Sequence, residues 1–421
     1  MRLVPVGVQA KRWRKQQAVA AAAAWYVMRQ SAEAEAEAEA EEAEVEAGED
    51  EAMVQQHAEL LVLLVAAGVL DDERPPRMPL LRMMPPVDDD IPNDFMNHNF
   101  RFTYTELQHV AEAIRWPWEG YVRGPDRCRL PGKEALCMLL YVLATPKCVV
   151  DCSYMWGLSQ QTCSRWLIWL AHELSQRLLP FCRFRWAYLK PRLGLYAAAI
   201  RRRTDGLLGG TVGFIDGHNP PIARPSRPEM DREFYSGQRK QHCVSVQGVC
   251  FPDGLVFVSD PISGRKNDLN LYDESGIDAE LQQHLLYDVE VHGPVRGGVQ
   301  LLPGQTHFNL FGDPIYQARL QPWLWAQWRP FRNVPLLPHQ RHFNGWTRAA
   351  RSDIEHAFAH VGNLFHGHRH KAWARTLSSG RFLQTYALTF ALMNVRTMLR
   401  CGNHISIDNN MEPPTIAEYL A

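Results

Sequence analysis

The chain has little that would place it in a membrane. The apolar run at 60–70, "LLVLLVAAGVL", covers 11 residues and ends on Asp71-Asp72-Glu73, whereas a spanning helix needs roughly 20; a helix docking on the body or on a partner fits such a run better. Paired cysteine motifs are also lacking. The nine cysteines (128, 137, 148, 152, 163, 182, 243, 250 and 401) are odd in number, and the nearest pair, Cys148 and Cys152, has no companion pair. That argues against a structural zinc and for a reduced, intracellular protein. The first 30 residues contain six basic side chains but no acid and no serine, and the missing serine speaks against a transit peptide.

Net charge is nearly absent as well, at -1, but the balance is uneven. Residues 1–95 hold 9 Lys/Arg and 19 Asp/Glu, net -10, so 36 and 27, net +9, remain for residues 96–421. A basic body beside an acidic tail points to a polyanionic partner. The 421 residues, 46% hydrophobic with 13 Trp, exceed one typical domain and can fill a large core. Residues 31–51, "SAEAEAEAEAEEAEVEAGEDE", place Glu at alternate positions and offer no apolar face at helical period, so a solvated, disordered or transiently helical segment is expected there. The Pro-rich stretch 74–92 reads as a linker.

From Thr103 to Pro180 apolar residues recur at helical spacing. In "CVVDCSYMWGLSQQTCSRWLIWLAHEL" one short helix ends at Gly157, Ser159 can cap the next, and Gln160, Gln161, Ser164 and Arg165 fall on its first turns. This is consistent with a DNA-binding helix-turn-helix, whose recognition helix presents polar residues near its start; taken alone, the segment is better read as an ordinary helical hairpin, because Gly turns between helices are common. From Val212 onward "TVGFID", "QHCVSVQGVCF", "GLVFVSDPI" and "FNLFGD" read as strands. Pro252-Asp253-Gly254 signals a hairpin between the second and third. A helical stretch from about Asn267, a strand at 308–312 and a helix over about 347–365 complete an α/β domain with a mixed sheet.

Three acids stand where an element ends or a helix presents a face: Asp216, Asp313 and Glu355. Neighbouring strands that end in Asp can bring two carboxylates to one hard cation, and Mg²⁺ or Mn²⁺ requires such an oxygen shell. Bound ions can then clamp the attacking and leaving oxygens of a phosphodiester. Taken singly, each Asp could equally cap a turn. The surrounding loops carry Arg224, Arg227, Arg232, Arg239, Lys240, Arg265 and Lys266, cations suited to DNA phosphates. Gly217 and Gly312, beside the acids, would leave room for a substrate backbone or a metal, or are simply turn glycines.

The stretch "FIDGHNPPIARPSRPEMDREFYSGQRKQHCVSVQGVCFPDGLVFVSDPISGRKNDLNLYDESGI", together with "LFGDPIYQ" and the Arg-x-x-Ile-Glu of "RSDIEHAFAHV", resembles the nuclease domain of PIF/Harbinger-type transposases and their domesticated relatives. The likeness runs in order over about residues 100–400. It implies an RNase H-like fold, an Asp-Asp-Glu triad of the DDE endonucleases, and a divalent cofactor, Mg²⁺ or Mn²⁺. Matched by motif, the triad is Asp216 in "IDG", Asp313 in Gly-Asp-Pro-x-Tyr and Glu355, with 41 residues between the last two. Asp268 in "GRKNDL" also matches a family acid and ranks behind Asp313, as a helix cap or auxiliary metal ligand. After Asp-Gly the chain has His218 and Asn219, where many relatives have Thr-His or similar.

The expected organisation is an acidic tail and linker over 1–95, a helix-turn-helix-like DNA-binding region over 96–205, an RNase H-like nuclease domain over 206–400 and a C-terminal tail over 401–421. His356 and His360, one helical turn apart, and His366, His368 and His370 could be imagined around zinc, but no Cys lies nearby and a phosphate-contacting or surface face fits better. The leading expectation is a nuclear, metal-dependent DNA endonuclease acting on DNA such as transposon terminal repeats. A helper DNA-binding protein and an oligomer are conceivable partners. The competing expectations are a domesticated protein that binds DNA without cutting it and an interaction scaffold.

Overall fold

The computed structural model describes residues 82–125, 128–225, 228–288, 306–330, 334–369 and 381–420, all within one compact unit, Leu80–Ala421. The acidic segment 31–51, the apolar run 60–70, Arg227 and His370 lie outside the described residues.

The helical part begins with α1 (Asn93–Phe100), α2 (Tyr104–Ala113), α3 (Gly132–Ala144), α4 (Val149–Trp156), α5 (Gln160–Leu178) and α6 (Leu193–Arg203). All of α3 except Lys133 is buried, as expected for a helix apolar on every side. Its one buried charge, Glu134, is held by Arg82 at 2.7 and 2.9 Å. Gly157 closes α4 in the left-handed conformation at φ 64°, and the Ser159 hydroxyl accepts from the Thr162 amide at 3.2 Å to start α5.

The central sheet contains β1 (Thr211–His218), β2 (Val244–Cys250), β3 (Val256–Val258), β4 (Ile262–Ser263), β5 (Asn309–Gly312) and β6 (Leu324–Ala326), in the order β6-β5-β1-β2-β3 with β4 also pairing β2. β1 is antiparallel to β2 and parallel to β5, β5 is parallel to β6, and β2 is antiparallel to β3 and β4. The hairpin at 252–254 forms as its sequence requires, with Gly254 at φ 81°. Asp253 in that turn is fully buried, where it accepts hydrogen bonds from the hydroxyls of Tyr188 and Tyr196 and the Leu255 amide.

After the hairpin come α7 (Asp268–Glu274), α8 (Ile277–His284), α9 (Pro338–Leu364), α10 (Arg381–Leu399), α11 (His404–Asp408) and α12 (Ile416–Leu420). The fold is therefore a mixed α/β sheet flanked by helices, consistent with an RNase H-like domain. A single apolar core runs through the helical part and the sheet. Asn394 of α10 fastens the two: its amide donates to the Phe181 and Val256 carbonyls at 2.7 Å each, and its oxygen accepts from the Val256 amide at 2.9 Å.

Four details differ from the sequence reading. The segment "QHCVSVQGVCF" divides, because Gln241–His242 pairs with Tyr235–Ser236 in a separate ribbon and β2 starts only at Val244. β6 is three residues long, too short to display an alternating pattern. α9 starts nine residues before Thr347, with Pro338 at its first turn, and its early turns bury too little to show an apolar stripe. The segment 401–421 is docked: Tyr419 is fully buried and stacks on Phe181 at 5.7 Å.

Candidate active site

Strand register sets the first two acids. Phe214 of β1 lies opposite Phe311 of β5 in the parallel pair, so Asp216 and Asp313, each two residues further on, come to the same rim beyond that pairing, although β1 itself continues to His218 alongside β2. Asp268 joins them at the first turn of α7. Its expected capping role belongs instead to Asn267, whose side chain accepts from the Asn270 amide at 2.9 Å, leaving the Asp268 carboxylate to turn toward the rim. There it occupies the space beside Gly217: a Cβ on that glycine would come within 2.2 Å of Asp268 Oδ1. Gly312 likewise accommodates a protein group, since a Cβ there would come within 2.5 Å of the Tyr316 ring. Both glycines admit side chains of this chain, contrary to the expectation that they leave open room, because helix α7 and the turn after β5 fold back onto the strand ends.

The backbone around these acids is fixed. The Gly217 amide donates to Asp216 Oδ1 at 2.9 Å, and Gln247 Nε2 donates to the Asp216 carbonyl at 2.7 Å and to the Tyr316 hydroxyl at 2.9 Å. Asp313 accepts from the Ile315 amide at 3.0 Å, so it does cap a turn while facing the rim. Burial drives the Asp216 carboxyl up to about 7, the negative charges of Asp313 and Asp268 push the same way, and the Gly217 amide and Arg351 oppose them. Burial and then Asp313 also raise Asp268, with Arg239 opposing. Asp313 is raised by burial against its backbone donors, Arg351 and Arg329. Three aspartates thus crowd one partly dry corner, and their mutual repulsion favours any cation that can enter.

Glu355 reaches this corner from α9. Gly248, the cross-strand partner of Asp216, has the Phe358 ring against it, where a Cβ would meet the ring at 2.6 Å, so the helix lies close on the sheet. Asp353, 1% exposed, pairs with Arg203 of α6 and accepts from Asn409 Nδ2 at 3.0 Å, which fixes the turn before Glu355. The Arg351 guanidinium stands between two of the acids, 3.6 Å from Asp216 Oδ2 and paired with Glu355 Oε1. Its Nε is buried without a hydrogen-bond partner. Asp216 and Glu355 together line a cavity of about 450 Å³ with His218, Asn219, Phe358 and Tyr386. Among the described residues no three His, Cys, Asp or Glu side chains are grouped closely enough to hold an ion between them. The arrangement couples Asp216, Asp268 and Asp313 by charge and connects Glu355 to them through a guanidinium.

The other sequence-derived candidates are scattered. Arg224 is engaged by Asp231 at 2.9 and 3.2 Å, and Lys266 by Glu274. Arg232, Arg239, Lys240 and Arg265 are exposed, and Arg239 is near enough to Asp268 to lower its carboxyl. Gln160, Gln161 and Arg165 lie exposed on the first turns of α5, whose opposite side buries Cys163 and Trp166. His356 and His360 gather around His404, with ring centroids 5.6 and 5.8 Å away. Burial, His404 and Arg396 together hold His360 down at about 4. Sequence reading passed over Arg351, Gln247 and Tyr316 as individual site residues. Arg351 carried a signal, as the Arg of Arg-x-x-Ile-Glu at i,i+4 spacing to Glu355, and so did Tyr316, as the last residue of Gly-Asp-Pro-x-Tyr; Gln247 is a buried polar group whose place depends on the assembled sheet.

The acids thus gather near one rim of a mixed α/β sheet, Asp216 on β1, Asp313 just after β5 and Asp268 on α7. Residues 215–377, which include all four acids, match the family of DDE superfamily endonucleases, and the chain is similar to them there. Neither the curated proteins nor the solved structures provide a match to this chain. Among the described residues no helix is long and apolar enough to cross a membrane.

Proposed function

We propose that this protein is a divalent-metal-dependent DNA endonuclease of the transposase-derived kind, with Asp216, Asp313 and Glu355 as its acidic triad and Asp268 in an auxiliary role. The observation that carries the reading is the crowding of Asp216, Asp268 and Asp313 at one sheet rim, with Asp216 raised to about 7, inside the stretch similar to DDE endonucleases. The donor set is all carboxylate oxygen, which fits Mg²⁺ or Mn²⁺, and such ions when bound would activate water and offset charge on the phosphoryl group.

The chain's own residues supply the rest. Gln247 and the Gly217 amide hold Asp216 in place. Arg351 keeps Asp216 and Glu355 near one another and could pass to a substrate phosphate when the acids take another cation. Arg239, Lys240 and Arg265 offer exposed charge for a DNA backbone, with Arg224 and Lys266 available where DNA displaces their acidic partners. The helical region 96–205 would recognise DNA through Gln160, Gln161 and Arg165, and the region 206–400 would cut it. A nuclear site of action, a PIF/Harbinger ancestry and terminal-repeat substrates complete the proposal.

The test is a nicking assay of the full chain on supercoiled and terminal-repeat DNA with Mg²⁺ or Mn²⁺. Nicking that disappears in Asp216→Asn supports the proposal. DNA binding with no nicking in either cation would leave a binding protein and remove the enzyme.

A further inference from the structure

Beside the acids lies an apolar hollow to which cleavage by the triad gives no role. This cavity of about 450 Å³ has Asp216 and Glu355 in its lining, and most of the remaining wall is carbon: Pro220 and Pro221 after β1, Phe358 on α9, Phe365 just past it and Tyr386 on α10. Its size falls within the roughly 300–1,000 Å³ of small-ligand sites. We propose that the hollow takes one base, unstacked from the DNA strand beside the phosphate to be cut; this rests on the nuclease reading above and names the form in which that site takes its substrate.

One face of α9 builds a side of the hollow. Glu355, Phe358, Ala359 and Gly362 stand at i, i+3, i+4 and i+7, the spacing of a single helix face, and all four line the cavity. Glu355 marks its acidic end. The small Ala359 and Gly362 leave space that larger side chains would fill. The aromatic wall is preformed: Phe358 is wedged against Gly248 and meets Phe390 edge-on at 6.1 Å, while the His218 ring lies nearly parallel to Phe358 at 4.5 Å and to Tyr386 at 6.1 Å.

The lining selects a neutral, planar group. None of its residues is Lys or Arg, so a phosphate drawn inside would meet two carboxylates and no cation to hold it. Under the nuclease reading those carboxylates face metal ions, and what remains is an apolar slot with one polar handle, Asn219. Its Oδ1 accepts from the Ser245 hydroxyl at 2.5 Å, which holds the side chain in place and leaves Nδ2 without a partner among the described residues. An amide donor among aromatic and aliphatic walls is the combination that reads an extruded base, through contacts on its faces and a hydrogen bond at its edge. A base is also what a bound strand brings to this place. It is joined through one sugar to the phosphate, and Asp216 belongs both to the rim and to the hollow. An apolar protein segment would leave Asn219 and the carboxylates uncompensated.

The experiment measures binding of the full chain, with Ca²⁺ as the oxygen-seeking cation, to labelled duplexes that differ at one position: fully paired, with a single bulged thymine, with that bulge made abasic, and with the thymine replaced by its apolar isostere difluorotoluene. An unpaired base spares the cost of unstacking, so the thymine bulge should be bound about tenfold or more tightly than the paired duplex, and the abasic bulge should lose that gain. Thymine should exceed the isostere by about two- to tenfold, the worth of one hydrogen bond, and this difference should vanish in Asn219→Ala. Ala359→Trp, at an exposed position whose indole would fill the hollow, should bring the ratio of bulged to paired binding to about one with an unchanged melting curve. Equal binding of the thymine and abasic bulges would overturn the inference, as would a ratio that survives in folded Ala359→Trp. A changed oligomeric state in that variant with the ratio intact would give the hollow to a second copy instead. Should Ala359→Trp fail to fold, a thymine–isostere difference that persists in Asn219→Ala overturns the inference independently. Nicking with no bulge preference would remove only this inference, whereas absence of any DNA binding would remove the nuclease reading with it.

Discussion

The rim of the sheet and the stretch that follows it have opposite electrostatic character. Near the ends of β1 and β5 and at the start of α7, three aspartates share a partly buried corner, where burial raises all three and the charge of Asp313 raises Asp216 and Asp268 further. In the 39 residues after Asp313 no acid occurs and arginines accumulate. Concentrated negative charge at one point selects a small multivalent cation, and spread positive charge selects a polyanion. Under the proposed function the two, side by side, would bring a nucleic-acid backbone to a metal site.

The strongest way to break this contrast is to neutralise the acids one at a time. Asp216→Asn, Asp313→Asn and Glu355→Gln should each reduce nicking below detection while DNA affinity, which depends mainly on cations, stays intact in a filter-binding or anisotropy titration. Loss of binding together with cleavage would mean that the acids serve the fold.

Next in size is the stability cost of the crowded corner. The Asp216 carboxyl is raised from 3.8 to about 7 in the folded chain. Between those values the native state keeps a proton that the unfolded state has released, so stability falls as pH rises through that window. The full cost of ionising Asp216, on the order of 4 kcal/mol, is present above about pH 7. Urea midpoints in EDTA should therefore decline from pH 5 to pH 8 in the wild type and decline less in Asp216→Asn. A wild-type profile that rises over this range would contradict the assignment.

Asp268 sharpens the comparison within the rim. As an auxiliary acid it should matter less than Asp313: Asp268→Asn is expected to slow nicking by about 10- to 100-fold, the range for groups that support a metal site from outside its first ligands. Wild-type activity in Asp313→Asn with complete loss in Asp268→Asn would exchange their roles. The smallest expected effect lies far from the rim. Arg165→Ala on α5 should cost about 1–3 kcal/mol in binding a preferred duplex if it reads a guanine; a uniform loss across sequences, with a shallower salt slope, would reduce it to a phosphate contact.

Much of this was legible in the chain because strands and turns write themselves locally. The Pro-Asp-Gly hairpin, the strand end before Asp313 and the start of α7 follow from short-range pattern, whereas β1 runs two residues past its expected end at Asp216, to His218. The parallel register that brings Asp216 and Asp313 to one rim joins segments almost a hundred residues apart, and no local pattern encodes it. Arg351 was visible as the Arg of Arg-x-x-Ile-Glu and the i,i+4 partner of Glu355; its contact with Asp216 depends on how α9 crosses β2 at Gly248. The rooms beside Gly217 and Gly312 were misread for the same reason, since what fills a glycine's space comes from elsewhere in the fold. The docked C-terminal segment was missed because its anchors, Tyr419 stacked on Phe181 and the Asn403 and Asn409 amides bonded to Gly254 and Asp353, meet partners far away in the sequence.

The central claim is that the crowded aspartates exist to take a divalent cation. It is tested most directly by titrating Mn²⁺ into the full chain at pH 8, with free ion followed by electron paramagnetic resonance, for the wild type and Asp216→Asn. The account predicts saturable binding in the wild type that weakens sharply when Asp216 is neutralised and fades in the wild type as pH falls below about 7, where the carboxyl regains its proton. Equal Mn²⁺ binding by both proteins, unchanged between pH 8 and pH 5, would contradict it.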